Sequence, residues 1–389
     1  MSATARPART VRTGGALLVV DHLRENGGLR IAHEAARRLP VEGLPATLFV
    51  LQRTEPGLGT LAPAADVDVV VSGHRPGHLR TALPRAFLGL MRAARRSSVL
   101  VATSEVGYNV LLTWLVARLF RRPFVVLVQS ELAPSMKAWV PGPLQRPTRW
   151  VLAHVDLAVC VSAGLVPGVL DAGTPGERAA VVQVGIDVDA VRAAAAVGPP
   201  LSEDGPYVVA MGRLSAQKGF DVLLRAFAHA APDMEGWSLV VIGEGPDRDQ
   251  LQTLANHLGI ASRVRLTGYL PQPQAVLAGA SLFVLSSRHE GMGGLVLLEA
   301  LAHGRPIVAT DCTAGPREIL RDGKLGRLVE VDDVSGLAAA LAAHAADPTV
   351  LEKVAGDGPE RAREFAPSRW VPQLAELLSS VGEPGRKAR

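Results

Sequence analysis

The sequence predicts an α/β protein made of two tandem, doubly wound (Rossmann-like) parallel-sheet domains that face a cleft. Three observations carry this prediction. The chain has 389 residues, more than one core of ~100–200 residues comfortably holds. Short apolar, β-branched runs alternate with helical patterns, as strands covered on both faces do. The alternation breaks once, at the linker-like "VGPPLSEDGP" of residues 197–206, and then resumes.

Taken in order, the first thirteen residues carry Arg6, Arg9 and Arg12 without an apolar segment. They read as a disordered basic tail rather than a signal peptide. The N-terminal domain, residues 14–197, places strands at "ALLVV" (16–20), "TLFVL" (47–51), "VDVVV" (67–71), "SVLVA" (98–102), "FVVLV" (124–128) and "DLAVCV" (156–161). The C-terminal domain, residues 198–370, places them at "YVVAM" (207–211), "SLVVIG" (238–243), "RVRLTG" (263–268), "SLFVLS" (281–286) and "RPIVAT" (305–310). Residues 371–389 are expected as a helix and tail, free to pack back on the N-terminal domain. Ligands of such sheets bind beyond the carboxyl ends of the strands.

Composition narrows the class. A hydrophobic content of 48% with 39 glycines and 28 prolines describes a turn-rich globular protein. Cys160 and Cys312 stand far apart without metal-type spacing, which reads as buried thiols in a reducing compartment. No apolar run approaches the ~18–20 residues that span a bilayer, so a cytoplasmic protein is expected. Residues 1–197 hold 22 Lys and Arg against 14 Asp and Glu, whereas the remainder holds 19 against 23. The basic half lacks the interleaved aromatics that single-stranded nucleic acid favours, so no nucleic-acid partner is expected, and an anionic ligand or lipid surface fits better. "FLGLMRAARRS" (87–97) and "LTWLVARLFRRP" (112–123) are amphipathic with basic ends. Two readings stand: core-facing helices whose arginines complement the dipole, or peripheral membrane attachment.

Three stretches carry chemistry. There are five lysines against 36 arginines, so a lysine within a motif is informative. Arg213 follows the strand "YVVAM", and Lys218 lies just before a helical pattern. Two cations at the carboxyl edge of a parallel sheet, beside a helix N-terminus, suit a diphosphate. Gly243 and Gly245 form a lone G-x-G without a third glycine or a following acidic residue, a tight turn near a ligand rather than a dinucleotide fingerprint. In "SRHEGMGGLVLLEALAHG" (287–304), Gly291, Gly293 and Gly294 would let backbone N–H groups and a helix N-terminus approach an anion. Glu290 would stand at the loop mouth to accept from hydroxyls. Glu299, inside an apolar helix, needs a ribose diol or a basic side chain, because a bare buried carboxylate costs several kcal/mol.

The ordered set "GRLSAQKGFDVLLRAF", "LVVIGEGP", "LTGYLP", "SSRHEGMGGLVLLEALAHGRPIVATD" and "GPREIL" resembles the family-4 (GT4) retaining, nucleotide-sugar-dependent glycosyltransferases of the GT-B fold, over about residues 206–330. The family's E-x7-E motif corresponds to Glu290 and Glu299, here spaced E-x8-E. The resemblance implies that Arg213 and Lys218 hold the donor diphosphate, Glu290 the transferred sugar and Glu299 the ribose. Residues Gly291, Met292, Gly293, Gly294 and Leu295 would lie near the phosphates. Gly268, Tyr269 and Leu270 would face the base. "NGGLRIAHEAARRL" is similar to the family's Gly-Gly loop, so Gly27 and Gly28 would approach the donor from across the cleft. In "VLVQSEL", Gln129 replaces a frequent histidine, with Ser130 and Glu131 beside it on the acceptor or sugar side. Val184 replaces the asparagine of a P-N-G-V-D stretch.

The expected activity is transfer of a hexose or N-acetylhexosamine from a UDP-sugar, GDP being the less favoured nucleotide, to a small natural-product, glycan or lipid-linked acceptor. Metal-independent chemistry is expected, with the nucleotide sugar as co-substrate and no cofactor. The pairs Asp66/Asp68 and Asp187/Asp189 have no supporting metal ligands. "VCVSAG" lacks the first glycine of a nucleophile elbow. The alternatives are a non-hydrolysing nucleotide-sugar epimerase of the same two-domain build and a dinucleotide-dependent oxidoreductase.

Overall fold

The computed structural model describes residues 14–24, 26–52, 59–72, 79–197, 205–290, 294–313 and 315–382. Seven strands form the first sheet: β1 (Gly15–Val20), β2 (Ala46–Val50), β3 (Asp68–Val71), β4 (Ser97–Ala102), β5 (Phe124–Val128), β6 (Leu157–Cys160) and β7 (Ala179–Val181). Their order is β3-β2-β1-β4-β5-β6-β7. Six form the second: β8 (Tyr207–Met211), β9 (Ser238–Ile242), β10 (Val264–Gly268), β11 (Leu282–Leu285), β12 (Ile307–Thr310) and β13 (Arg327–Val329), in the order β10-β9-β8-β11-β12-β13. Each of these strands pairs with its neighbours in parallel, with Leu18 opposite Leu48 and Val101 in one sheet, and Val209 opposite Val240 and Phe283 in the other.

The sequence explains the central strands. β5 is Phe-Val-Val-Leu-Val and is buried along its whole length, since helices cover both faces of the sheet. Each such side chain withdrawn from water contributes ~1.5–3 kcal/mol. The sequence pattern missed two strands, β7 and β13. Both are three-residue edge strands with partly exposed side chains, so neither leaves a continuous apolar run.

In each sheet the winding reverses beside the first strand, between β1 and β4 and between β8 and β11. Those are the crevices where α/β sheets bind ligands. The domains touch through the helix Val188–Ala195, which packs on the helices Gln274–Gly279 and Gly294–Ala302. Val184, Ile186, Leu297, Leu298 and Leu301 share one buried cluster there. The last helix, Pro367–Gly382, packs on β4 and on the helix Gly27–Arg38, burying Trp370, Leu374 and Leu378. Its N-terminal approach is close: a Cβ on Gly185 would collide with the Phe365 carbonyl.

Cys160 and Cys312 are free and buried, and burial pushes both thiols up to about 12. Among the described residues, no single helix is long and apolar enough to cross a membrane.

Candidate active site

The loops after β8 and β11 are fastened together at the second crevice. Gly219 adopts a left-handed conformation, φ +60°, and a Cβ there would strike the Ser286 carbonyl. Ser286 Oγ donates to the Lys218 carbonyl at 2.8 Å, and Gln217 Nε2 donates to the His289 carbonyl at 3.0 Å. Arg288 completes the fastening, donating to the Ala216 carbonyl at 2.6 Å and to both Asp221 oxygens at 2.9 and 2.8 Å. Its guanidinium holds the Asp221 carboxyl below the usual range even though burial opposes this. The result is a rigid cradle whose backbone cannot drift apart without breaking several bonds.

Lys218 Nζ pairs with Glu290 Oε1 inside this cradle, and Ser287 Oγ donates to the same oxygen at 2.6 Å. Glu290 is only 4% exposed. Arg213 is exposed, and its guanidinium lies 5.1 Å from the ring centroid of Trp139, a residue of the other domain. Among the described residues, Arg213 has no carboxylate partner, which leaves its charge directed at the cleft.

Glu299 is fully buried, and both its oxygens are engaged. Oε1 lies 2.5 Å from Arg30 Nη1, and Oε2 accepts from Gln274 Nε2 at 3.0 Å. Of the two partners that the carboxylate needed, the structure supplies the basic side chain. It comes from the helix Gly27–Arg38, 269 residues away in sequence, where spacing arguments cannot reach.

Two helix N-termini converge on the cleft. Asn26 Oδ1 caps the helix Gly27–Arg38 by accepting from the Leu29 N–H at 2.9 Å. Gly27 faces Leu295 in the first turn of Gly294–Ala302, where a Cβ would stand 3.9 Å from Leu295 Cδ1. The first turns offer backbone N–H groups to an anion. Gly294 takes φ +68°. Gly291, Met292 and Gly293 lie outside the described residues.

Gly28 meets Gln129: a Cβ on Gly28 would stand 2.8 Å from Gln129 Oε1. Gln129 Nε2 donates to the Thr103 carbonyl at 2.6 Å, and its backbone N–H donates to Glu105 Oε2 at 3.1 Å. Ser130 Oγ donates to Glu105 Oε1 and lies 2.6 Å from Ser135 Oγ. Glu131 Oε1 is buried and makes no hydrogen bond among the described residues. Sequence reading missed Glu105, Asp21 and His22 at this crevice. Burial raises Glu105 above its ordinary value, against the bonds from Ser130 and Gln129. Asp21 rises to about 6, chiefly through burial, with Asn109 opposing and the Glu105 charge adding. His22 is lowered, by burial first and then by Arg24, with a smaller push from Arg213.

Other sequence features resolve structurally. A Cβ on Gly243 would strike the Gly212 carbonyl, and one on Gly245 the Leu214 carbonyl, so these glycines admit neighbouring protein backbone at the cleft edge. Gly268 has φ +77° with Glu244 beside it, Tyr269 faces Gly59 across the cleft with ring atoms 3.6 Å from its Cβ position, and Leu270 packs on the core. Asp187 caps the helix Val188–Ala195 and meets Arg38 Nη2 at 2.8 Å, while Asp66 meets Arg37 Nε at 3.2 Å. Asp68 accepts from Thr47 at 2.7 Å, and Asp189 from Arg363 at 3.2 Å. Among the described residues, no group of three or more His, Cys, Asp or Glu is placed to hold a metal.

Comparison with known proteins agrees with this architecture. Residues 205–347 match the family described as glycosyl transferases group 1. The chain is 34% identical to the lipopolysaccharide core biosynthesis glycosyltransferase LpsE of Rhizobium meliloti, over 64% of this chain and 73% of the relative. It is 30% identical to D-inositol 3-phosphate glycosyltransferase 1 of Catenulispora acidiphila over 92% of both chains. The fold is that of Anabaena HepE, solved in complex with UDP and glucose, with a TM-score of 0.76, 19% identity, and coverage of 94% of this chain and 99% of that one. With two Rossmann-like sheets in a GT-B arrangement and relatives of this extent, the chain belongs to the group 1 glycosyl transferases.

Proposed function

We propose that the protein transfers a sugar from UDP to a small, glycan or lipid-linked acceptor with retention at the anomeric carbon. The observation that carries this reading is the fastened cradle holding Lys218 and Glu290, faced by two helix N-termini and the guanidinium of Arg213, which has no carboxylate partner among the described residues. UDP is favoured because the structurally similar HepE was solved with it.

The chemistry follows from charge. As the bond between sugar and diphosphate lengthens, negative charge grows on the leaving oxygen and positive character on the ring. Arg213, Lys218 and the helix N-terminus at Gly294–Leu295 stabilise the first change without reorganising, the condition under which fixed charges lower a barrier most. Glu290 orients the sugar hydroxyls through the face that Lys218 leaves open. Glu299 receives the ribose diol, exchanging its bond to Arg30 for two hydroxyl donors. Gly268, Tyr269 and Leu270 border the base, and Gly27 and Gly28 close on the phosphates. On the acceptor side, Glu131 Oε1 has no hydrogen-bond partner among the described residues, and Gln129 and Ser130 are held by Glu105. Attack from the leaving-group face lets the departing phosphate take the acceptor proton, so no enzyme nucleophile is needed. Domain closure orients both substrates.

A thermal-shift panel of UDP, GDP, NAD and common UDP- and GDP-sugars, run with Lys218→Ala alongside, tests the reading. A ligand at 100 times its dissociation constant adds about 2.7 kcal/mol. The expected result is a rise with UDP and UDP-sugars that the variant loses. A rise with GDP alone would reassign the donor. Product analysis with an accepted donor then separates a glycoside, the expected product, from an epimerised nucleotide sugar, which would refute transfer.

A further inference from the structure

One face of the N-terminal sheet is covered by three packed helices, Leu79–Ala94, Tyr108–Leu119 and Gly142–Ala153. From residue 79 to residue 155 the chain has eleven Lys and Arg against two carboxylates, Glu105 and Glu131. Both carboxylates sit beyond the carboxyl ends of β4 and β5, on the cleft side. The outer surface of the layer therefore carries positive charge alone along this stretch. Arg92, Arg95, Arg96, Arg121 and Arg146 are exposed on it. The neighbouring Asp156 meets Arg118 at 3.2 Å.

Apolar side chains stand out among these cations. Leu88 is 46% exposed, Leu115 42%, Leu119 57% and Trp150 51%. Trp150 packs edge-on against Trp114 at 5.1 Å and stacks on His154 at 4.4 Å, which fixes its ring. Exposed leucines and a rigid indole surrounded by arginines suit one environment well, the boundary between lipid headgroups and acyl chains. A nucleic-acid backbone would use the arginines but has no call for the leucines.

We propose that this helical layer is the docking surface for an anionic phospholipid bilayer. Leu115, Leu119 and Trp150 enter the headgroup boundary, while Arg92, Arg95, Arg96 and Arg121 pair with lipid phosphates. The helix Tyr108–Leu119 starts on the cleft side, just past the end of β4, but Leu115 and Leu119, with Arg92, Arg95, Arg96 and Arg121, lie toward the other end of the layer, by the starts of β4 and β5, so a protein docked through them keeps the cleft open to solvent. The inference is independent of which nucleotide the donor carries.

The test is co-sedimentation of the full-length protein with sucrose-loaded vesicles, either phosphatidylglycerol with phosphatidylethanolamine or phosphatidylcholine alone, at low and high salt. Two variants are compared, Arg92→Glu/Arg95→Glu/Arg96→Glu and Leu115→Ser/Leu119→Ser, with melting temperatures recorded to show that each is folded. Wild type should bind the anionic vesicles, lose them as salt rises and ignore phosphatidylcholine. The charge variant should bind roughly a hundredfold more weakly, and the leucine variant should weaken while keeping its salt dependence. Any of three results would overturn the proposal: no anionic-vesicle binding at low salt, folded variants that bind like wild type, or duplex DNA held as tightly as the vesicles.

Discussion

Arg30 Nη1 lies 2.5 Å from Glu299 Oε1 and joins the first helix of one domain to the helix behind the cradle of the other. Glu299 has no exposed surface, whereas a third of the Arg30 side chain remains in solvent. The pair thus holds the two domains together through a carboxylate that the proposed function gives to the ribose.

Arg30→Met should lower stability by about 2 kcal/mol, below the 3–5 of a fully buried pair because Arg30 is partly solvated. Saturating UDP should close part of that gap if the ribose takes over the freed oxygen. Urea denaturation with and without UDP reads both effects; equal losses in the two conditions would remove Glu299 from the ribose site.

Lys218→Ala should reduce kcat by about 10²–10³-fold, as loss of one fixed donor to developing charge does, while leaving Glu290 with Ser287 as its side-chain donor. Lys218→Arg should rescue poorly, since the planar guanidinium does not replace a compact ammonium in a closed cradle. Initial rates against donor concentration distinguish lost chemistry from lost binding. Full activity in the alanine variant would refute the assignment.

Asp21 gives a pH signature. Its folded value of about 6 stands above the usual 3.8, so between about pH 4 and pH 6 the folded protein keeps a proton that the unfolded chain has released. Stability from this group is therefore complete below pH 4 and lost as pH rises through 6. Asp21→Asn should gain on the order of 2–3 kcal/mol over wild type at pH 7 and little at pH 4. Denaturant midpoints at the two pH values check it; an equal gain at both would point to packing instead.

Gly219→Ala combines a left-handed backbone with a collision against the Ser286 carbonyl. The backbone alone costs ~1–2 kcal/mol, so a larger loss is expected, together with weaker UDP binding as the two loops separate. Melting temperature and UDP titration test this. Gly259→Ala has φ +71° but no neighbour within 4 Å, and it should show only the backbone cost.

The sequence was most legible where burial is complete. β5 and β8 fall on the runs that predicted them, because strands covered on both faces must be apolar throughout. The three-residue edges β7 and β13 carry no such pattern. At the site, the order of Arg213, Lys218, Glu290 and Glu299 was readable, since one domain supplies all four within a continuous stretch. Their partners were not: Arg30 and Trp139 come from the other domain, and Glu105 becomes significant only when β4 and β5 are adjacent. Gly243 and Gly245 show that a glycine motif records the close approach of a neighbour without saying whether that neighbour is ligand or protein.

Arg363 and Phe365, just ahead of the helix Pro367–Gly382 that returns the chain to the first domain, meet that domain at two neighbouring points, Arg363 bonding Asp189 and the Phe365 carbonyl lying against Gly185. Two such contacts side by side act as the spine of a book. They permit the halves to swing about one line and resist sliding or twisting. In such a swing, residues at the spine, such as Gly185 against Phe365, should move little, while Tyr269 and Gly59, which meet across the cleft, should travel farther. Changes along that line should alter the rate of opening, and with it product release, with no contact to either substrate.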